Sequence, residues 1–132
     1  MKVLIIGARG LLGSFLLKKI KKKYNVFCSS RVNSNHYLKL NLNNLLNKKK
    51  FFEKNNFNVI INTSGLVDVN KCNKDFSLAK KNNSETIKNL FKVLNKMNTK
   101  PHLIHFSTDQ VYNSRNSTKP NGENDVNLSN NY

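Results

Sequence analysis

Seven residues near the start of the chain, Gly7-Ala-Arg-Gly10-Leu-Leu-Gly13, have a type and spacing suited to binding phosphate. They follow an apolar run, Lys2–Ile6, and open a segment of helical periodicity, the context such a glycine loop requires. Gly7 permits a tight turn, Gly10 lets backbone approach a pyrophosphate, and Gly13 allows a helix to pack closely on a strand. The helix start then offers unpaired N–H groups and a partial positive charge to the phosphates. A second constellation is Cys28-Ser-Ser-Arg31. A dinucleotide with a free ribose 2′-OH is usually met here by an acidic residue, and none is present. Ser29, Ser30 and Arg31 instead suit a 2′-phosphate, with Arg9 in reach to assist. The expected cofactor is NADP(H), with NAD(H) the lesser alternative. A third group, Asn62-Thr-Ser-Gly65, leaves room for a ligand across a sheet edge. A fourth, Ser107-Thr108-Asp109, could turn hydroxyls into the same crevice; capping of a strand end explains it equally well. Tyr132, in a polar stretch, has no base after it.

These residues need a frame, and the apolar pattern supplies one. Strands are expected at Lys2–Ile6, Tyr24–Ser29, Tyr37–Leu40, Asn58–Asn62 and His102–Phe106. Helices are expected at Leu11–Lys23, Asn43–Asn56 and Ser84–Met97, the last with Ile87, Leu90, Phe91 and Leu94 on one face. Strands apolar throughout and alternating with helices imply a parallel sheet covered on both faces. Right-handed crossovers then give a doubly wound, Rossmann-like α/β sheet of order 3-2-1-4-5. Residues 1–132 read as one nucleotide-binding domain. From Asn113 onward the chain is polar and loop-like, and it is expected to be an N-terminal fragment that stops before a sixth strand and a substrate segment.

Composition narrows the partners. Lys and Arg number 23 against 7 Asp and Glu, a formal charge of +16. With 25 Asn and 20 Lys, two residue types make up about a third of the chain. That charge suggests nucleic acid. The lysine runs at 18–23, 48–50 and 80–81 fall on outer helix positions without interleaved aromatics, so nucleic acid is disfavoured and a solvated basic face preferred. Cys28 and Cys72 are far apart and read as buried thiols of a reducing compartment. No metal-ligand spacing occurs. No apolar run reaches the roughly 18 residues of a membrane span, so no membrane partner is expected. The chain opens on a strand rather than a secretory signal, and a cytoplasmic protein is the expectation.

Taken in order, the motifs resemble the extended short-chain dehydrogenase/reductase superfamily, and within it the dTDP-4-dehydrorhamnose reductase family. GxxGxxG is the superfamily's form of the glycine loop. LIHFSTDQVYN (103–113) is similar to that family's LIHxSTDYVFxG, and KPNGENDVNLSNNY (119–132) to its loop leading to NxYG. VIINTSG (59–65) stands where the family has VINAAA, and Asn83, six residues before Asn89-Leu90, matches its NA…NL helix. The resemblance implies an NAD(P)H-dependent reductase of a nucleotide-sugar 4-keto group, in dTDP-rhamnose biosynthesis. A homodimer is open to the full-length form.

The resemblance also implies roles. Tyr132 falls on the tyrosine of YxxxK and would be the general acid. Thr108 would hydrogen-bond the reacting carbonyl, and Asp109 would neighbour the substrate. Gly10, Leu11 and Leu12 would contact pyrophosphate; Asn41 and Leu42 would flank adenine. Ser64, Gly65 and Leu66 would line the nicotinamide ribose, with Asn83 and Ser107 also on the cofactor. Ser30 stands where NADH-preferring relatives carry Asp. Departures are Gln110 for tyrosine, Asn70 and Asn73 for acidic residues, and Asn41 for Asp. The lysine of YxxxK would fall beyond Tyr132. The alternative reading is a non-catalytic NADP-binding module resembling the regulatory subunit of methionine adenosyltransferase.

Overall fold

The apolar runs condense as strands of one sheet. In the computed structural model, which describes residues 1–31, 35–45, 48–108 and 122–124, five strands lie in the order β3-β2-β1-β4-β5. They are β1 (Lys2–Ile6), β2 (Asn25–Ser30), β3 (Leu38–Lys39), β4 (Val59–Asn62) and β5 (His102–His105). Every pairing is parallel. The expected Rossmann-like order is therefore the observed one. Register sets one row across the sheet's C-terminal edge: Ile6 opposite both Ser29 and Asn62, Ser29 opposite Leu38, and Asn62 opposite His105.

Helices cover both faces. On one face α1 (Leu11–Ile20) brings Leu16, Leu17 and Ile20 against Ile5, Ala8 and Cys28. On the other, α2 (Lys49–Asn55) and α5 (Thr86–Asn95) enclose a larger core of Leu4, Ile6, Leu45, Phe52, Ile60 and Leu90. Phe52, Leu45, Ile60 and Leu90 are fully buried. Each such side chain contributes about 1.5–3 kcal/mol by leaving water. Phe27, Phe51 and Phe57 close that core, with an edge-on Phe27–Phe57 contact at 5.6 Å and a tilted Phe51–Phe57 contact at 6.3 Å.

Several elements differ from the expected ones. The segment 43–56 is not one helix: Asn41 accepts a hydrogen bond from the Asn43 amide at 3.0 Å, holding a 3₁₀ turn at Leu42–Asn44. The true helix begins at Lys49 and ends where Asn56 takes a left-handed φ of 49°, a common stop. Between Asp68 and Lys80 two short helices appear that apolar periodicity did not announce, α3 (Val69–Lys74) and α4 (Phe76–Lys80). Each is started by an aspartate side chain, Asp68 on the Lys71 amide and Asp75 on the Leu78 amide, at 3.0 and 2.8 Å. A π-helical turn, Lys81–Glu85, then joins α4 to α5. The expected tail from Asn113, with Asp109 and Tyr132, lies outside the described residues, apart from 122–124.

Candidate nucleotide-binding site

The glycine loop is fixed by its neighbours rather than by its own side chains. Gly7 has φ +83°, and a Cβ there would lie 2.9 Å from the Ser64 amide nitrogen and from Thr63 Oγ1. A Cβ on Gly13 would run into the Gly7 carbonyl and Ala8. Glycine is therefore required at both, once for conformation and once for close approach. Gly10 N–H donates to the Gly7 carbonyl at 2.9 Å and closes the turn. The first bond inside α1 runs from Ser14 N–H to the Gly10 carbonyl at 2.9 Å. The amides of Leu11, Leu12 and Gly13 precede it, at the end of the helix that carries partial positive charge. Leu11 is 93% exposed, so its side chain takes no part in the core.

The loop after β4 is tied to three elements. Thr63 Oγ1 donates to the Ile6 carbonyl at 2.8 Å, locking β4 to β1 beside Gly7. Asn62, 1% exposed, accepts from the Ser64 amide at 3.1 Å and from the Ser64 hydroxyl at 2.6 Å. The Asn62 amide nitrogen lies 3.2 Å from His105 Nδ1 on β5. Asn83, lifted out by the π turn, holds both polar groups of Leu66: it accepts from the Leu66 N–H at 2.7 Å and donates to the Leu66 carbonyl at 3.0 Å. Cys72 also reaches that carbonyl, at 3.5 Å.

These loops enclose a crevice of about 430 Å³ over the C-terminal edge of β1, β2 and β4. That size and place suit a ligand site in an open α/β sheet. Its lining contains Gly7, Arg9 and Gly10; Ser30 and Arg31; Asn41 and Leu42; and Ser64, Gly65 and Leu66. Four separate stretches expected on a cofactor thus meet in one cavity. Gly13 supports the turn from below. Leu11, Leu12, Asn83, Ser107 and Thr108 are outside the lining; Asn83 reaches the crevice only through Leu66. Thr108 is half-buried just past β5. Asp109 and Tyr132 lie outside the described residues. The sequence reading missed Ile6, Leu40, Asn43, Asn82 and Thr86, which complete the wall. Asn82 and Thr86 lay in an apparently ordinary helix start, and only the π turn brings them round.

Charge in the crevice is of one sign. Its charged lining residues are Arg9 and Arg31, and no carboxylate is among the described ones. Ser29 lines it too, is 2% exposed, and has a hydroxyl with no hydrogen-bond partner among the described residues. Below Ser30, burial pushes the Cys28 thiol above its ordinary value. Among the described residues no group of His, Cys, Asp and Glu could hold a metal ion. No described helix is long and apolar enough to cross a membrane.

Residues 1–132, the entire chain, match the family described as the RmlD substrate binding domain. The chain belongs to that family. Solved structures agree with this RmlD-type assignment. A hypothetical dTDP-4-dehydrorhamnose reductase from Sulfolobus tokodaii is 27% identical with a TM-score of 0.80, over 96% of this chain and 45% of that one. A dTDP-4-dehydrorhamnose reductase from Clostridium acetobutylicum is 30% identical with a TM-score of 0.78, over 96% and 43%. The Bacillus anthracis enzyme, solved with NADP, is 21% identical with a TM-score of 0.71 and shares the fold. This RmlD-type chain spans less than half the length of each. No curated protein matches it.

Proposed function

We propose that this chain supplies the cofactor-binding part of an NADP(H)-dependent reductase acting on the 4-keto group of a nucleotide sugar, as in dTDP-4-dehydrorhamnose reductases. One observation carries the cofactor half of this reading: a glycine-loop crevice whose charged lining, among the described residues, is two arginines with no carboxylate. A free ribose 2′-OH calls for a carboxylate acceptor, whereas a 2′-phosphate calls for cations and hydroxyls. The glycines that admit no Cβ and the two arginines fit a phosphorylated dinucleotide. Arg31 and Ser30 would hold the 2′-phosphate with help from Arg9. The α1 amides would meet the pyrophosphate, and the Leu40–Asn43 stretch would flank the base. The bound cofactor supplies the hydride. Thr108 and Asp109 would orient the keto-sugar, and Tyr132 would donate the proton to the carbonyl oxygen.

The substrate half rests on family membership and the likeness to the dTDP-4-dehydrorhamnose reductases of Sulfolobus tokodaii and Clostridium acetobutylicum. The test uses protein expressed from its complete reading frame. Calorimetry with 2′,5′-ADP and 5′-AMP should show at least a tenfold preference for the former, and NADPH should be oxidised on addition of a dTDP-4-keto-6-deoxy sugar. Equal binding of the two nucleotides would overturn the NADP(H) assignment. Tight NADPH binding without turnover of any keto-sugar would overturn the reductase assignment.

A further inference from the structure

Ser29 and Ser30 are adjacent in β2, and a strand turns adjacent side chains to opposite faces. Cys28 packs on the α1 face and Phe27 on the α2–α5 face, so Ser30 goes with the former and Ser29 with the latter. The two serines therefore cannot share one phosphate. On Ser29's side, the crevice wall includes Ile6, Leu40 and Leu42, all buried in the larger core, with Asn43, Asn82 and Thr86 beside them. An apolar wall of this kind suits the flat face of a base and repels phosphate. Set against the three apolar residues is the Ser29 hydroxyl, buried and without a partner among the described residues. Leaving such a group unpaired disfavours the free protein, and a ligand that pairs it removes that penalty.

We infer that Ser29 is a base-reading residue of the nucleotide site, its hydroxyl hydrogen-bonding the polar edge of adenine while Ser30 and Arg31 serve the 2′-phosphate. The hydroxyl is covered in the free chain, so pairing with the base requires a change of χ1 to another staggered well. A hydroxyl both donates and accepts, so it matches an edge bearing an amino group beside a ring nitrogen. This rests on the cofactor reading above and adds to it a residue that acts on the base alone.

The experiment is Ser29→Ala in the protein from its complete reading frame, with calorimetry on 5′-AMP, 2′,5′-ADP and nicotinamide mononucleotide and with melting of the ligand-free form. The expected result is a loss of about fivefold, equal for 5′-AMP and 2′,5′-ADP, with no change for nicotinamide mononucleotide. The ligand-free variant should melt at the same temperature as wild type or higher, because the removed group had no partner. Arg31→Ala serves as the contrast and should weaken 2′,5′-ADP alone. Unchanged adenine-nucleotide binding by Ser29→Ala overturns the inference, as does a loss confined to 2′,5′-ADP. A lowered ligand-free melting point also overturns it, since the hydroxyl would then be satisfied within the protein. If wild type binds neither adenine nucleotide, the cofactor reading fails and takes this inference with it; if wild type binds and the variant binds equally, only the inference fails.

Discussion

At the scale of single residues, the site depends on atoms that are absent. Gly13 has no room for a methyl group because the Gly7 carbonyl and Ala8 already occupy that space. These neighbours are backbone and cannot swing away. Gly13→Ala should therefore cost about 2 kcal/mol or more, read as a lowered urea midpoint at unchanged slope. Cys28 gives a pH prediction. Burial raises its pKa in the folded state above that of an ordinary thiol, so between the unfolded and folded values only the unfolded chain has lost the proton. Its contribution is complete below the unfolded pKa and is lost as pH rises through the folded one. Denaturation midpoints measured from pH 7 to 10.5 should fall above about pH 9, and Cys28→Ala should flatten that alkaline decline. A thiol that alkylates at the rate of an exposed cysteine at pH 8 would contradict the burial.

At the scale of elements, the loop after β4 decides the shape of the crevice, and the π turn decides the loop. Asn83 holds both backbone groups of Leu66 only because the widened turn advances its side chain out of the α-helical path. Such turns are found mostly at functional places. Asn83→Ala should leave both Leu66 groups without the amide partner, cost about 1–3 kcal/mol, and speed hydrogen exchange at the Leu66 amide. Unaltered exchange there would show the loop to be held otherwise. The short helices α3 and α4 depend on their caps. Asp75→Ala should lower stability by about 1 kcal/mol, and Asp68→Ala should lower it in the same direction. The Lys71 amide holds the Asp68 carboxyl below its ordinary range, so this cap is retained above the unfolded pKa and lost as pH falls through the folded one. The Asp68 difference should accordingly vanish in strong acid.

At the scale of the whole molecule, charge works against compactness and toward the ligand. The first acidic residue is Glu53, so the half of the sheet that builds the glycine loop and β2 carries only cations. Two ion pairs, Lys49–Glu53 at 3.3 Å and Lys71–Asp68 at 3.4 Å, occur among the described residues, and both are exposed. Exposed pairs contribute little, whereas a charge of +16 repels itself over the whole surface. Added salt screens that repulsion. The melting temperature should therefore rise between 20 and 300 mM sodium chloride, while 2′,5′-ADP binding weakens over the same range. A melting point that falls with salt would mean that attraction, not repulsion, dominates the surface.

The apolar blocks by themselves determined the parallel sheet and its 3-2-1-4-5 order, because strands apolar on both sides have few alternatives to burial between helix layers. The glycine loop was equally legible, since its spacing and its place after the first strand state a backbone requirement directly. The resemblance to dTDP-4-dehydrorhamnose reductases was carried by ordered motifs along the whole chain, which the family match spans. Tertiary structure alone decided the rest. Asn43–Asn56 read as a single helix because periodicity does not register the Asn41 cap that breaks it. The helices started by Asp68 and Asp75 were invisible to apolar spacing, since local caps rather than a hydrophobic face define them. Asn83 matched the family pattern, yet only the fold turned its amide onto Leu66. Ser29 and Ser30 are one polar pair in sequence, and it is the pleat of β2 that sends one toward the side of Ile6, Leu40 and Leu42 and the other to the opposite face.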